Sequence, residues 1–257
     1  MMIHNTNKIP CQFYFFLTNF WFLGQFSHFN VKHFNEEISI TLENAKQSTR
    51  DLVGMQLWRG AFLLSDYIMD NAVSFKDKVI LELAAGTGFT SLIAAKWAKK
   101  VICTDIDHGY ILPLIKSNFQ RNSNLAKDFT VQELDFFKTD WRLNFETCIE
   151  SIDIILVADA IYNEDITNAF FNTIEYFFQM CDKHLKIFVS MEKRWWVAES
   201  GIRHAPSYDN FMLHLHELER KFKPNIQFIP NHSVNHCLSE YYSRTEDLIL
   251  MMLSKSY

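Results

Sequence analysis

Apolar residues along this chain recur at two different spacings, and the places where the spacing changes mark the predicted elements. In GMQLWRGAFLLSDYIMDN, residues 54–71, Leu57, Trp58, Ala61, Leu64, Ile68 and Met69 fall at three- and four-residue steps. That predicts an amphipathic helix ending near Asn71. KVILEL (78–83) is a short β-branched run, AAGTG follows, and FTSLIAAKWAKK (89–100) is helical in propensity and spacing. VICTDI (101–106) reads as a second strand, residues 110–122 as a helix, and TVQELDF (130–136) and DIILVAD (153–159) as further strands. A helix over 165–181, a strand over KIFVSME (186–192), a helix over 208–222 and strands at 225–230 and 247–253 complete the series. Upstream, EEISITLE (36–43) alternates Ile38, Ile40 and Leu42 with polar neighbours and predicts one more strand.

Strands alternating with helices imply parallel βαβ units, hence an open sheet with helices on both faces. The last helix, strand and strand would add an antiparallel edge, so the expected fold is a mostly parallel, seven-strand α/β sheet. Ligands in such sheets bind beyond the carboxyl ends of the strands, where the strand order reverses. With 257 residues and no low-complexity linker, one domain over 51–257 suffices, preceded by an aromatic-rich extension over 1–50 that contributes edge strands.

Composition changes this picture mainly at the N-terminus. FYFFLTNFWFL (13–23) is apolar save Thr18 and Asn19, yet only eleven residues long where a membrane span needs about 20. Lys8 precedes it, but no small-x-small cleavage site follows, so aromatic edge strands are expected and a secretion signal is not. A misplaced gene start is the alternative account of this segment. The formal charge of −5, from 25 basic and 30 acidic residues, gives no global pull on nucleic acid phosphates. Five cysteines (Cys11, Cys103, Cys148, Cys181 and Cys237) without a C-x-x-C pair lack zinc-finger spacing and point to a reducing compartment. No metal site is expected, since His214 and His216 are two apart on a helix and diverge.

Seven glycines are few, which makes each informative. Gly86 and Gly88, in ELAAGTG between strand and helix, let backbone amides approach a ligand, and the helix N-terminus behind them favours negative charge. Asp105, about 17 residues further on, stands at the end of the second strand, where a carboxylate can accept both ribose hydroxyls. The pairing indicates a nucleoside cofactor, with NAD and S-adenosylmethionine both open, and a turn that only packs as the structural alternative. Asp135 and Phe136 close the third strand, where a carboxylate and a ring would meet an adenine. Asp159-Ala160-Ile161-Tyr162 closes the fourth, beside the cofactor's reactive end. A nicotinamide enzyme would carry G-x-G-x-x-G, whereas these positions hold Ala84, Gly86 and Phe89.

W-R-G-A on the first helix, E-L-x-A-G-T-G, L-D-[W/F] and D-x-x-Y, in that order, make the chain resemble the seven-strand S-adenosylmethionine-dependent methyltransferases, and within them the methyltransferase family 16 protein-lysine group. The likeness runs over roughly residues 36–253, through LWRGAFLLSDYI, KVILELAAGTGFTSLIAA, VICTDI, VQELDF, ADAIYNED and FVSMEKRWW. It implies a Rossmann-like methyltransferase sheet, S-adenosylmethionine as cofactor, and a lysine of a non-histone protein as methyl acceptor. By position it implies that Glu82 and the backbone of Ala84, Ala85, Gly86, Thr87 and Gly88 hold the methionine end. Asp105 would hold the ribose, and Asp135, Phe136 and Ala158 would surround the adenine. Trp58 matches the family tryptophan near the methionine carboxylate, and Asp159 and Tyr162 match the D-x-x-Y beside the target lysine. Two positions depart from the family pattern: Ala84 replaces its first glycine, and Phe136 stands where tryptophan is common, losing an indole donor.

Asp159 is expected to steer the lysine amine and Tyr162 to wall its channel. The structural alternatives are a cap of the following helix and an aromatic lid over the sheet edge. Ala160-Ile161 lacks the proline-stiffened [D/N]-P-P-[Y/F] loop of enzymes that methylate nucleic acid, so neither a nucleic acid nor a membrane partner is expected. The resemblance implies a nuclear or cytoplasmic setting, and a monomer is expected. A methyltransferase fold that has lost cofactor affinity through Ala84 is the competing reading. After the fifth strand, Glu192-Lys193-Arg194 with Trp195-Trp196 reads equally as a contact for a partner peptide or as a solvated strand end.

Overall fold

The computed structural model describes residues 14–17, 20–33, 36–45, 50–181, 184–198 and 201–255. Lys8, Cys11, Thr18 and Asn19, on which part of the N-terminal reading rests, lie outside the described residues. In chain order, β1 (Tyr14–Leu17), β2 (Phe20–His33) and β3 (Glu36–Ala45) form an antiparallel sheet of their own. The alternation in β3 is realised: Ile38, Ile40 and Leu42 are buried with Phe29 and Val31 of β2 in the same core as the helices that follow.

A 3-10 turn over Arg50–Met55 leads to α1 (Arg59–Asp70) and the short α2 (Ala72–Phe75). The apolar pattern runs five residues ahead of the real helix start, because Trp58 is extended (φ −102°, ψ 153°) and Met55 turns aside to pack on Ala45 and Leu114. Then come β4 (Val79–Leu83), α3 (Phe89–Ala95), β5 (Lys100–Asp105), α4 (Ile111–Arg121), β6 (Phe129–Glu133), α5 (Arg142–Phe145), β7 (Ile154–Ala158), α6 (Glu164–Met180) and β8 (Lys186–Glu192). A ribbon of β9 (Trp196–Val197) and β10 (Arg203–His204), then α7 (Pro206–Phe222), β11 (Asn225–Ile229) and β12 (Leu248–Ser254) complete the described chain. α3 stops short of the predicted Lys100. The amides of Lys99 and Asp77 donate to the carbonyls of Lys78 and Trp97 (2.9 and 3.0 Å), tying the turn after α3 to the start of β4.

The main sheet has seven strands in the order β11-β12-β8-β7-β4-β5-β6. Strands β8, β7, β4, β5 and β6 are parallel, and the expected antiparallel edge is present, with β12 running opposite to both β8 and β11. The order turns back between β4 and β7, so their carboxyl ends form the switch point.

Each face of the sheet carries its own apolar layer. One joins the β2-β3 hairpin, α1, α3 and α4 through Phe29, Leu63, Leu92, Ile115 and Phe119. The other joins α5, α6 and α7 through Phe145, Phe170, Phe177 and Phe211. The rings of Phe29, Phe62 and Phe89 lie between 4.9 and 5.9 Å apart, tilted contacts that each add about 0.5–1.5 kcal/mol beyond the area they bury.

Candidate active site

At the carboxyl end of β4 the backbone turns left-handed three times, at Ala84 (φ 51°), Gly86 (φ 57°) and Gly88 (φ 77°). Ala84 is thus left-handed without being a glycine, at a cost of roughly 1–2 kcal/mol for an L-residue. Gly86 lacks a side chain for a second reason: a Cβ there would lie 2.6 Å from the carbonyl oxygen of Gly54, so the 50–55 turn rests directly on it. Gly88 is packed by Ile115 and Phe119 of α4. Ala85 donates its N–H to the Thr104 carbonyl of β5 (2.9 Å), and the Thr87 carbonyl accepts from buried Asn118 (3.0 Å).

Two carboxylates brace this turn. Glu82, assigned by resemblance to the methionine end, lies buried beneath it and accepts from the Ser91 amide in the first turn of α3 (2.9 Å). Burial pushes its carboxyl up to about 7, against the opposing pull of the Ser91 hydrogen bonds. Asp105, at the end of β5, accepts from the Gly86 amide (2.7 Å) and its neighbour's Ile106 amide (2.8 Å). Burial raises Asp105 to about 6. The glycine turn and the distal acid thus meet, as the strand-end reading expects.

Asp135 and Phe136 follow β6. The Asp135 carboxylate accepts from the Phe137 amide (3.0 Å), a turn that ends the strand sooner than the sequence predicted, and it lies 3.8 Å from the Lys138 ammonium. The Phe136 ring meets Phe170 of α6 edge-on at 5.8 Å and borders a cavity of about 550 Å³ that also takes in Arg142 and Tyr176. Ala158, half-buried at the end of β7, pairs with Ser190 of β8.

Asp159 leaves β7 in a left-handed conformation (φ 50°). One of its oxygens accepts the Gly60 amide (2.6 Å) and the other the Glu192 amide (2.9 Å), while its own N–H donates to Ser190 (2.8 Å). Asp159, expected to steer the lysine amine, is buried and joins α1, β7 and β8. It does cap a helix, but α1 instead of the one that follows, since Asn163 caps α6 by accepting from Ile166 (2.9 Å). Burial raises the Asp159 carboxyl, opposed by its two amide donors. Gly60 explains the glycine of W-R-G, because a Cβ there would sit 2.6 Å from the Asp159 oxygen.

Tyr162 is 43% exposed just beyond, and its carbonyl accepts from the Ser207 hydroxyl at the start of α7 (2.9 Å). Trp58 spends its indole N–H on the Val53 carbonyl (3.0 Å) and carries the Arg194 guanidinium 4.6 Å above its ring. Residues missed by sequence reasoning include Asn118 of α4 and Asn122 at its C-terminus, both buried, whose side-chain amides bond to β3, that of Asn122 also donating to the Asn118 carbonyl. Their signal was two asparagines four apart on an otherwise apolar helix face. Arg244 and Asp66, a buried ion pair at 2.6 Å that anchors the chain after β11 to α1, gave no such signal.

The doubly wound sheet with this glycine turn at its switch point defines the class of Rossmann-like methyltransferase folds. Solved structures agree on the fold: an O-methyltransferase from Bacillus cereus in complex with SAH gives a TM-score of 0.52 at 12% identity, over 79% of this chain and 84% of that one. A family model described as lysine methyltransferase matches residues 36–217, and the chain belongs to that family. Human methyltransferase-like protein 22 is 33% identical over 209 residues, which cover 74% of this chain and 51% of the relative. Mouse protein N-lysine methyltransferase METTL21A is 27% identical over 208 residues, 79% of this chain and 85% of the relative. The chain spans about half the length of the methyltransferase-like protein 22 relatives it matches.

Proposed function

We propose that the protein transfers a methyl group from S-adenosylmethionine to a lysine side chain of a non-histone protein. The observation that carries this is the convergence at one edge of the sheet: the glycine turn of β4, Asp105 of β5, Asp135 and Phe136 after β6, and Asp159 and Tyr162 after β7. The donor set fits the cofactor chemically. A carboxylate at the second strand end suits a ribose diol, and a carboxylate beside a ring at the third suits an adenine. Ala84 to Gly88 would hold the methionine end through their backbone, with Glu82 and Trp58 supporting that part of the site. When bound, the cofactor supplies a methyl group on a positively charged sulfur.

The acceptor must arrive neutral. A free lysine has a pKa near 10.4, so presenting the uncharged amine at pH 7.4 costs about 4 kcal/mol. In this reading, Tyr162 walls the channel and excludes water, and burial of the lysine against it lowers the amine's proton affinity. Asp159 acts indirectly, by holding α1 and β8 in register beneath Tyr162. The rival reading, a fold emptied of cofactor affinity by Ala84, is separated from this one by cofactor binding.

An intracellular setting, nuclear or cytoplasmic, and a monomeric enzyme without nucleic acid or membrane partners complete the proposal. Cys103, Cys148 and Cys237, in no disulfide among the described residues, suit a reducing compartment. We take 51–257 as the transferase domain and 1–50 as its extension, with β3 packed into the domain's core. Titration calorimetry with S-adenosylhomocysteine, and NADH as control, tests the proposal. Micromolar binding of the first alone is expected, and a folded protein that binds neither removes it.

A further inference from the structure

We infer that the β9-β10 ribbon is a docking surface for an acidic, apolar segment of the protein that carries the target lysine, an inference that rests on the lysine methyltransferase reading. The ribbon lies where such a segment would pass. β8 ends at Glu192, whose amide is held by Asp159, and the chain continues through Lys193, Arg194 and Trp195 straight into β9. On its far side β10 runs into α7, where Ser207 holds the carbonyl of Tyr162.

The ribbon exposes apolar surface that folding alone does not explain. Trp196 is 70%, Val197 68% and Ile202 58% exposed, and concentrated apolar exposure of this kind marks interaction sites. Trp196 pairs with His204 and Val197 with Arg203, so alternation sets Ile202 beside Trp196 and His204 on one face and Arg203 with Trp195 and Val197 on the other. Two paired residues per strand make a marginal ladder in water, closed here by the Ala198 amide on the Ile202 carbonyl (2.9 Å).

Charge selects the partner. Lys193 lies 4.1 Å from the Tyr208 ring centroid, and Arg194 and Arg203 lie 4.6 Å from those of Trp58 and Trp195. None of these three cations makes an ion pair among the described residues. Among the described residues, three nearby carboxylates are engaged: Glu192 with Arg59 (3.1 Å), Asp247 with the Trp195 indole (2.8 Å), and Asp159 with its two amides. Stacking a guanidinium on a ring leaves its N–H edge free for a carboxylate. The face that carries Arg203, Trp195 and Val197 is both cationic and apolar, so on a chain of net charge −5 it is complementary to an acidic segment with apolar side chains and repels a basic one.

Fluorescence anisotropy tests this with three probes: a peptide with one lysine among alternating aspartates and leucines, the same peptide with arginine for aspartate, and a single-stranded oligodeoxynucleotide. The full chain is expected to bind the acidic peptide at least about tenfold more tightly than the basic one. Val197→Ser and Arg203→Glu, both at exposed positions on that face, should each weaken it about five- to tenfold, and Arg203→Glu should also narrow the preference. Equal affinity for the two peptides, binding to neither, tighter binding of the oligonucleotide, or affinity unchanged in both variants overturns the inference. So does self-association of the wild-type chain that Val197→Ser abolishes. Binding of S-adenosylhomocysteine is read on the same samples. The variants should retain it, and its absence in the wild type removes the methyltransferase reading while the peptide result is judged separately.

Discussion

Asp105 and Asp159 end the two strands that flank β4, and each accepts two backbone amides while buried, yet they do different work. Asp105 takes its donors locally, from Ile106 and from the turn 19 residues earlier. Asp159 takes its donors from Gly60, 99 residues away, and Glu192, 33 away. The first shapes one turn; the second fastens three elements. The same residue at the same end of a parallel strand thus braces a local turn in one case and joins distant elements in the other, and the partners decide which.

The largest test of that contrast is Asp159→Ala. It strands two buried amides and leaves an alanine left-handed, so denaturant unfolding should reveal a loss of about 3 kcal/mol. Affinity for S-adenosylhomocysteine should stay within a few-fold while methyl transfer disappears. A folded variant with full turnover would break the comparison, and Asp159→Asn, which keeps one acceptor, should recover part of the stability.

Asp105→Ala should invert the balance. Loss of a charged acceptor for the ribose weakens S-adenosylhomocysteine about 10- to 100-fold by calorimetry, with a stability loss nearer 1 kcal/mol because its donors sit in a partly solvated turn. Unchanged affinity would move the ribose elsewhere.

Acidity sharpens the contrast further. Glu82 at about 7 and Asp105 at about 6 are raised in the folded state, so that state keeps its protons longer than the unfolded chain. Their contribution to stability is full below the unfolded carboxylate pKa and falls as pH rises to about 7, by at most about 3 kcal/mol per group. Ribose hydroxyls favour the ionised Asp105, so S-adenosylhomocysteine affinity should climb with pH and level off above about 6. A flat profile would mean that the cofactor does not touch this carboxylate.

The smallest effect belongs to Ala84→Gly. Relief of the left-handed strain, less the entropy a glycine loses on folding, leaves about 0.5 kcal/mol, or 1–2 °C in Tm by calorimetric scanning. Cofactor affinity should not change. A tenfold gain would restore alanine as the cause of a weakened site.

Periodicity and turn chemistry made the sheet legible, and β8 was bounded to the residue because an apolar run with polar flanks needs no outside help to become a central strand. The glycine turn and Asp105 were legible for the same reason, since their contacts are short-range in sequence. The roles of Asp159 and Gly60 were not, because a carboxylate beside a strand end looks the same whether it faces a ligand or a helix start 99 residues away. Trp58 was placed on a helix by its spacing, whereas its indole bond to Val53 holds it in the extended residue before the helix. Aromatic residues over 13–23 and the alternation over 36–43 were read as strands, but their pairing into a separate sheet depends on the partner each strand finds.

Strand β12 sits inside the sheet between β8 and β11, both of which precede it in the chain. During synthesis the ribosome releases β8 and then β11 before the strand that must lie between them, so that end of the sheet waits with two unpaired margins. Hydrogen-bonded partners arrive only when residues 248–254 emerge, and until then the nascent chain presents adhesive edges that a chaperone would be expected to shield.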